Sequence, residues 1–260
     1  MATVADMHSS ERPIALVTGV GRRAGIAAGV VQRMAQDGWD IGATWWSAYD
    51  DRMPWGRRPD DVTEIGDLVR GLGARFTAVE ADLEEPAAAG NVVDAVRSEL
   101  GEITALVMCH CESVDSGILD TEVEAFDRHF AVNTRASWLL IKAYAEQLTA
   151  RDGSGRIIAL TSDHTAYNLP YGASKGALDR IVIAAAEELG HLRISANVIN
   201  PGPIDTGWMN DGIRELGVTN TALGRLGTPQ DTAALVSFLV SPDGGWINGQ
   251  LLHSNGGFNL

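Results

Sequence analysis

Short apolar runs alternate with longer helix-like segments along almost the whole chain, and this alternation limits the possible folds more than any other feature. Runs typical of buried strands lie at 14–17, 41–44, 75–79, 105–109, 156–160, 194–199 and 250–253. Amphipathic or Ala-rich segments typical of helices lie at 26–36, 61–71, 87–100, 122–150, 171–190 and 229–240. Strands that alternate with helices form right-handed βαβ units. The sequence therefore predicts an α/β fold with a doubly wound, parallel, seven-stranded sheet and helices on both faces.

The alternation has no internal break, so we expect one domain over residues 12–260. Residues 1–11 lack the basic and apolar stretches of a secretory signal, and they predict a short disordered tail. The segment 203–227 departs from the pattern, because glycines interrupt it and only short helical pieces lie between them. Ligands of open α/β sheets bind beyond the carboxyl ends of the strands, so an insertion there predicts a substrate lid.

Composition narrows the class of partner. Hydrophobic residues make up 45% of the chain and charged residues 21%, which supplies enough apolar surface for a core. The net charge of −14 produces a field that repels nucleic acid and anionic membrane surfaces. Two cysteines, Cys109 and Cys111, are too few for a disulfide framework, and no apolar run is long enough to span a bilayer. We therefore expect a cytoplasmic protein that acts on small molecules.

A glycine-rich turn follows the first predicted strand, from Thr18 to Ala27, and a helix follows the turn. Glycines allow a sharp turn, and the N–H groups at the start of the next helix then suit a phosphate. A turn without any ligand is the alternative. Arg22 and Arg23 within it are either solvated charges or a clamp for a nucleotide phosphate.

Tyr171 and Lys175 lie four residues apart at the start of a predicted helix, which puts them on one face. The chain has four tyrosines and only two lysines, Lys142 and Lys175, so Arg is its general cation. A phenol has an ordinary pKa of about 10, and a neighbouring ammonium favours its ionised form. Such a pair suits proton transfer to a carbonyl oxygen during hydride transfer to its carbon.

The glycine-rich turn, the Tyr-x-x-x-Lys pair and Asn200-Pro201-Gly202-Pro203 after a later strand together resemble the short-chain dehydrogenase/reductase family. Among its members the chain is most similar to the 3-oxoacyl-carrier-protein-reductase-like group, with a variant glycine-rich loop. The resemblance covers about residues 12–258. It implies a Rossmann fold and hydride transfer between a nicotinamide cofactor and a ketone or secondary alcohol.

The resemblance implies a catalytic set of Asn133, Ser162, Tyr171 and Lys175. Tyr171 matches the family's acid/base, and Lys175 matches the lysine that lowers its pKa and binds the nicotinamide ribose. Ser162 matches the serine that polarises the substrate carbonyl, although only eight residues separate it from Tyr171, a shorter spacing than the family usually has; Thr161 is the alternative. Asn133 matches a helix asparagine that orients a proton-relay water, and an ordinary polar surface position is its alternative.

The resemblance also implies a set of cofactor-binding residues at the strand ends. They are Gly19, Arg22, Arg23, Gly25, Ile26, Trp45, Asp82, Leu83, Cys109, Pro201, Gly202, Ile204 and Thr206, together with Tyr171 and Lys175. Asp82 matches an adenine-contacting aspartate. Pro201, Gly202 and Thr206 match the segment that holds the nicotinamide carboxamide.

Three departures from the family pattern affect these expectations. The glycine-rich turn is longer than usual and has Ala27 at its third glycine, as in enoyl-carrier-protein reductases. Those enzymes place the lysine where this chain has Leu178, so carbonyl chemistry is preferred here. The usual Asn-rich turn after the fourth strand reads Met108-Cys109-His110-Cys111, which predicts core thiols rather than a metal site; no metal is expected. The second strand ends in Thr44-Trp45-Trp46 rather than in a carboxylate.

The missing carboxylate bears on the choice of cofactor. An acid at the end of the second strand would hold the ribose hydroxyls of NAD and repel a 2′-phosphate. Its absence, with Arg22 and Arg23 in the adjacent turn, predicts NADP(H) in preference to NAD(H). NAD(H) stays an alternative, because Asp50 and Asp51 follow the second strand closely. The aromatic stretch 45–55 is either a platform for adenine or simple packing.

Substrate and assembly are inferred from position. Residues at strand ends and on the lid are predicted to line the substrate pocket: Ser113, His164, Asn168, Trp208 and Met209. His164 has a loop hydrogen bond as its alternative role, and the lid residues suggest an apolar or aromatic substrate. The helix at 171–190 is apolar on more than one face, so it is either buried under other elements or a subunit interface. Relatives pair this helix across a two-fold axis, and a homodimer or homotetramer is expected.

The leading hypothesis is an NADP(H)-dependent oxidoreductase that interconverts a ketone and a secondary alcohol, such as a 3-oxoacyl thioester, with Tyr171 as general acid/base. A natural-product tailoring ketoreductase with a narrow substrate range is an alternative with the same chemistry. A non-catalytic dinucleotide-binding sensor on the same fold is the alternative from another class. Such sensors usually lose part of the catalytic set, whereas all four residues are present here.

Overall fold

The computed structural model describes residues 12–149, 152–207 and 209–259. The predicted tail at 1–11 and the predicted pocket residue Trp208 lie outside the described residues.

One parallel sheet of seven strands forms the centre of the fold, in the spatial order β3-β2-β1-β4-β5-β6-β7. The strands are β1 (Ile14–Thr18), β2 (Asp40–Trp45), β3 (Phe76–Glu80), β4 (Ile103–Met108), β5 (Arg156–Leu160), β6 (Ser195–Asn200) and β7 (Leu251–His253). The predicted fold class, a seven-stranded parallel Rossmann-like sheet with helices on both faces, is confirmed.

The helices fill the connections between the strands. They are α1 (Ile26–Gln36), α2 (Ser47–Asp51), α3 (Asp61–Gly71), α4 (Ala88–Leu100), α5 (Val123–His129), α6 (Ala136–Gln147), α7 (Leu169–Glu188), α8 (Asp211–Asn220) and α9 (Pro229–Val240). A π-helical turn (Phe130–Arg135) joins α5 to α6, so the helix expected over 122–150 is not one regular helix. Single π-helical turns are frequent at functional sites.

The sheet is buried on both faces, which explains why its strands read as continuous apolar runs. Ile14 and Leu16 of β1 pack into a core with α4, α6 and α7. Ala15 and Val17, the alternate residues, pack into a second core with α1, α3 and α9. Because the period along a strand is two, the central strands β1, β4, β5 and β6 contribute to both cores.

The strand order places a crevice at the middle of the sheet. β1 lies between β2 and β4, and the chain leaves these strands toward opposite faces. A crevice therefore opens beyond the carboxyl ends of β1 and β4, where ligands of such sheets bind. Within the described ranges, every helix is too short or too polar to span a lipid bilayer.

Candidate active site

The glycine-rich turn after β1 lies directly against the loop after β4. Gly19 has a φ of +78°, and a Cβ placed there would lie 2.8–2.9 Å from backbone atoms of Cys109 and His110. Only glycine allows both this backbone conformation and this approach. The N–H of Val20 donates to the carbonyl of Thr44 on β2 at 2.9 Å. The turn is thus fixed against both strands that flank β1.

The turn ends at the N-terminus of α1. Gly25 is the N-cap residue, and no side chain caps the helix. The N–H groups of the first turn, beginning at Ile26, therefore remain for a ligand, and the helix dipole favours an anion beside them. The arrangement of Gly19, Gly25 and Ile26 fits the phosphates of a dinucleotide.

Arg22 and Arg23 both contact acidic side chains. Arg22 donates to the carbonyl of Thr206 at 2.9 Å, and its guanidinium lies 4.5 Å from the centre of the Trp55 ring. Its Nε is 4.0 Å from a carboxylate oxygen of Asp50. Arg23 forms an ion pair with Glu64. The two arginines lie in the turn beside the crevice, each with a carboxylate within 4.0 Å, and their role in binding a cofactor stays a prediction.

The aromatic stretch 45–55 is partly explained by these contacts. Trp55 packs on Arg22, and its indole N–H donates to Asp50 at 2.8 Å. Trp45 ends β2 and is half-buried. The structure therefore shows packing for Trp55.

Further predicted cofactor residues lie at the ends of β3 and β4, along the same edge of the sheet. Asp82 and Leu83 follow β3, and Asp82 accepts a hydrogen bond from the N–H of Glu84 at 2.9 Å. Cys109 follows β4, and burial raises the pKa of its thiol to about 12. Asp82 and Leu83 therefore lie on the side of the crevice next to β2, whereas Cys109 lies beside β1.

The segment after β6 forms the opposite wall. Pro201 is buried, and a Cβ on Gly202 would overlap Asn255. Ile204 pairs with Gly227 in a short parallel bridge, which closes the base of the segment 203–227. Thr206, which accepts the hydrogen bond from Arg22, is buried.

A buried histidine joins the β1 turn to the helical side of the site. The Nε2 of His110 lies 3.1 Å from the carbonyl of Val132, and its Nδ1 lies 2.6 Å from the hydroxyl of Thr18. Because a carbonyl only accepts, Nε2 donates and Nδ1 accepts. Burial, with the charge of Lys175 adding to it, lowers the pKa of His110 to about 3. Both ring nitrogens of this neutral imidazole are engaged by the protein.

Asn133 lies on the π-helical turn and uses its side chain entirely within the protein. Its Oδ1 accepts from the N–H of Glu112 at 2.7 Å, and its Nδ2 donates to the carbonyl of Glu112 at 2.9 Å. The same Nδ2 lies 2.9 Å from the hydroxyl of Ser174. Asn133 is 1% exposed. Its carboxamide therefore holds the loop after β4 against α7.

The structure brings Ser162, Tyr171 and Lys175 together at the carboxyl end of β5. The Ser162 hydroxyl lies close enough to the Tyr171 phenol to act against the rise in its pKa. The Nζ of Lys175 lies 5.8 Å from the centre of the Tyr171 ring and donates to the carbonyl of Leu160 at 2.8 Å. The alternative residue, Thr161, instead places its hydroxyl 3.5 Å from the backbone carbonyl of Lys175. The geometry favours Ser162 over Thr161.

Burial dominates the protonation of this cluster. It raises the pKa of Tyr171, and Cys111 adds to the rise, while the Ser162 hydroxyl opposes it. Burial also lowers the pKa of Lys175. In the structure desolvation is the largest influence on the pKa of Tyr171, and the predicted lowering of that pKa by Lys175 stays a prediction. Tyr171 is therefore a protonated phenol at neutral pH.

The two lysines of the chain differ sharply in environment. Lys175 is 3% exposed. The side chain of Lys142, on α6, is 57% exposed and lies 3.9 Å from Glu146, one helical turn away. An ammonium is strongly hydrated and is seldom buried without a specific partner, so the position of Lys175 is unusual.

The short loop between Ser162 and Tyr171 folds back onto the start of α7. His164 is exposed, its backbone N–H lies 3.2 Å from the hydroxyl of Ser162, and its Nε2 lies 2.8 Å from the carbonyl of Ala166. It makes the loop hydrogen bonds of its alternative role. A Cβ on Gly172 would overlap the carbonyl oxygen of His164. Glycine at this position is what allows so short a loop to reach Tyr171.

Two of the predicted pocket residues meet directly. Asn168 donates to the hydroxyl of Ser113 at 3.2 Å and to the carboxylate of Asp115 at 2.6 Å. Its Oδ1 is buried without a hydrogen-bond partner. Met209 is buried at the start of the lid segment, before α8. The Oδ1 of Asn168 is therefore a buried acceptor without a partner, at the N-cap of the helix that carries Tyr171.

The sequence did not identify the part played by Arg52 and Glu112. Arg52 follows α2 and binds the buried carboxylate of Glu112, in the loop after β4, through both terminal nitrogens. The only signal was the density of aromatic and charged residues in a stretch between a strand and a helix. A helix as short as α2 has too few residues to show a period.

Known proteins show which family has this architecture. A family model described as enoyl-(acyl carrier protein) reductase matches residues 19–259. An uncharacterised oxidoreductase of Bacillus subtilis, YjdA, is 32% identical over 97% of this chain and 99% of its own length. A chloroplastic NADPH-dependent aldehyde reductase-like protein of Arabidopsis thaliana is 33% identical over 94% of this chain and 93% of its own.

A solved structure agrees with these relatives. The short-chain dehydrogenase of Burkholderia cenocepacia, determined in complex with NADP, superimposes with a TM-score of 0.85 at 31% identity, covering 96% of this chain and 98% of its own. Fold and relatives together define an NAD(P)-dependent oxidoreductase of alcohol and carbonyl groups. The chain belongs to the short-chain dehydrogenase/reductase family.

Gly172→Ala is expected to lower carbonyl turnover by about 10²-fold, because the added Cβ displaces the His164 loop and with it Ser162 and Tyr171. The matched control is Gly176→Ala on the same helix, where a Cβ meets nothing within 4 Å. Cofactor-linked turnover and denaturant unfolding of both variants test this. Wild-type turnover and stability in Gly172→Ala would show that the loop does not depend on this contact.

Proposed function

We propose that the protein is an NADP(H)-dependent reductase of small carbonyl compounds that uses Tyr171 as its proton donor. The meeting of Ser162, Tyr171 and Lys175 at the carboxyl end of β5, beside the crevice, carries this proposal. The residues also fit a dinucleotide, because Gly19 allows the tight turn after β1 and no side chain caps α1, which leaves its first N–H groups for a phosphate. The bound nicotinamide supplies the hydride chemistry.

The cofactor would be held along the edge of the sheet. Gly25 and Ile26 present the uncapped start of α1 to the phosphates, and Arg22 adds a cation beside them. Asp82 lies where the adenine is expected. Thr206 and its neighbours after β6 form the opposite wall, on the nicotinamide side.

Proton transfer follows from the protonation of Tyr171. Because burial raises the pKa of Tyr171, the phenol keeps its proton at neutral pH and donates it to a carbonyl oxygen. The Ser162 hydroxyl, beside the same phenol, orients that oxygen. The Lys175 ammonium stabilises the negative charge that develops there. Asn133 contributes by holding the loop after β4, and its side chain has no free group for a water.

NADP(H) is proposed as the cofactor, for two reasons. The Burkholderia cenocepacia structure contains NADP, and the Arabidopsis thaliana relative is described as NADPH-dependent. Arg22 and Arg23 supply cations next to the end of β2. Asp50 lies 4.0 Å from Arg22 and opposes a 2′-phosphate, so Arg22 must turn away from this carboxylate to bind one.

The substrate class is a ketone or an aldehyde. Relatives include an aldehyde reductase-like protein and the versicolorin reductase of Emericella nidulans, 28% identical to this chain. The description of the matching family model, enoyl-(acyl carrier protein) reductase, instead refers to reduction of a carbon–carbon double bond. The spacing of Tyr171 and Lys175 favours carbonyl reduction, as in the 3-oxoacyl-carrier-protein-reductase-like group. A 3-oxoacyl thioester and a natural-product ketone are the two substrates that fit, and a dinucleotide sensor without catalysis is the remaining alternative.

Tyr171→Phe is expected to lower NADPH consumption by about 10²–10⁴-fold, because it removes the proton donor, while the affinity for NADPH stays unchanged. The assay pairs NADPH with a 3-oxoacyl thioester and a panel of apolar ketones, aldehydes and quinones. Tyr167→Phe is the control, since Tyr167 is 87% exposed. Full turnover in Tyr171→Phe would disprove the assignment, and tight NADPH binding without turnover on any carbonyl would support the sensor.

Arg22→Ala is expected to weaken NADPH binding at least about tenfold more than NADH binding, since a charge-assisted hydrogen bond to the 2′-phosphate is lost. Fluorescence titration with each cofactor measures the two dissociation constants. Arg33→Ala is the control, because Arg33 pairs with Asp37 at the far end of α1. Equal losses for both cofactors would show that Arg22 does not select the 2′-phosphate.

A homodimer or homotetramer is proposed from the exposed apolar side chains beside α7. Phe130, Trp138 and Ile181 line an open groove there, and Trp138 is 50% exposed. Light scattering is expected to give a multiple of the 27.7 kDa chain mass, and Trp138→Glu is expected to reduce it. Leu119→Glu, at a residue 99% exposed elsewhere, is the control. A wild-type chain of monomeric mass would contradict the proposal.

A further inference from the structure

The segment 46–60, which contains α2, contacts both sides of the cofactor crevice. On one side, Trp55 lies 4.5 Å from the guanidinium of Arg22 in the glycine-rich turn. On the other side, Arg52 binds Glu112 in the loop after β4. A segment between a strand and the next helix thereby reaches the loop beside the catalytic residues.

The contact between Arg52 and Glu112 has the geometry of a strong ion pair. The two terminal nitrogens of Arg52 lie 3.1 and 2.9 Å from the two carboxylate oxygens of Glu112. The side chain of Glu112 is 4% exposed and that of Arg52 is 40% exposed. Tyr49 supports the pair, with its ring centre 5.6 Å from the guanidinium and its hydroxyl 3.4 Å from the carbonyl of Ser113.

Hydrogen bonds continue from Glu112 to the proposed proton donor. The peptide N–H and carbonyl of Glu112 are held by the side chain of Asn133, at 2.7 and 2.9 Å. Asn133 also contacts the hydroxyl of Ser174 at 2.9 Å, and that hydroxyl donates to the backbone carbonyl of Tyr171 at 2.8 Å. Glu112, Asn133 and Ser174 are all at least nine-tenths buried. Specific hydrogen bonds thus connect Arg52, Glu112, Asn133 and Ser174 in turn, and the last of them reaches the backbone of Tyr171.

We infer that Arg52 and Glu112 are positioning residues for Tyr171. This inference rests on the proposed role of Tyr171 as proton donor. A buried carboxylate is stable only while its partner is present. Without the ion pair, the Glu112 side chain no longer fixes the loop after β4, and its peptide group shifts away from Asn133. The start of α7 then loses the contact that fixes Tyr171 relative to Ser162.

A purely stabilising ion pair is the competing explanation, and a paired apolar replacement separates the two. Replacing both members of a buried ion pair by well-packed apolar residues is often neutral for stability. In Arg52→Leu/Glu112→Leu no unpaired charge remains, but the carboxylate no longer fixes the loop after β4. A stabilising pair predicts that this double variant regains turnover, whereas a positioning pair predicts that it does not.

The first variant to measure is Arg52→Gln, which folds because position 52 is partly exposed. Its kcat for carbonyl reduction is expected to fall by about 10²-fold with the KM for NADPH unchanged, since displacement of a reacting group acts on the chemical step. The double Leu variant is expected to keep wild-type thermal stability with the same low kcat. Arg57→Ala is the matched control, because Arg57 pairs with Asp51 in the same segment and both are exposed.

Hydrogen exchange gives a readout that does not need a substrate. Amides of 130–136 and 169–175 are expected to exchange faster in Arg52→Gln and in the double variant, and at the wild-type rate in Arg57→Ala. Wild-type kcat in Arg52→Gln, recovery of kcat in the double variant, or unchanged exchange in these two segments would each overturn the inference. If the wild-type chain reduces no carbonyl, the proposed function fails, and the exchange rates alone decide whether Arg52 positions α7.

Discussion

The close approach of the glycine-rich turn to the loop after β4 is the constraint on which the rest of the site depends. The backbone of Gly19 touches the backbone of Cys109 and His110 so closely that no Cβ fits between them. His110 then connects this contact to the π-helical turn through Thr18 and Val132. Burial lowers the pKa of this imidazole to about 3, so it is neutral at neutral pH. One uncharged side chain thereby links the cofactor side of the crevice to the helix that carries Asn133.

The polar groups around Tyr171 divide into two kinds. Asn133, Ser174 and Lys175 are buried and have their polar groups bonded within the protein. Ser162 and Tyr171 are half-buried and face the crevice. The first kind fixes the local geometry, and the second kind is the part that the proposed function assigns to the substrate. Because a buried polar group is costly to displace, this division makes the site rigid where it needs to be preorganised.

The sequence predicted the fold well because parallel strands covered on both faces leave continuous apolar runs. It also placed Ser162, Tyr171 and Lys175 together, since carboxyl ends of neighbouring parallel strands meet at one edge. It missed α2, because so short a helix has no readable period. It also missed the contacts of Arg22, whose partner Thr206 lies 184 residues away and is adjacent only after folding. The raised pKa of Tyr171 could not be predicted from the sequence, because it depends on how deeply the phenol is buried. The spacing of residues along a helix does not give that depth.

The contrast between the two lysines has a practical consequence for attaching this protein to a surface or a dye. Lys175 is enclosed, whereas Lys142 is open to solvent on α6. An accessible, unprotonated amine attacks an acylating reagent, so Lys142 is the lysine side chain that such reagents modify in the folded chain. Trp138 lies one helical turn before Lys142, on the same face. A label on Lys142 therefore lies beside the proposed subunit contact and can report on assembly. The buried Lys175 is not modified by the same reagent.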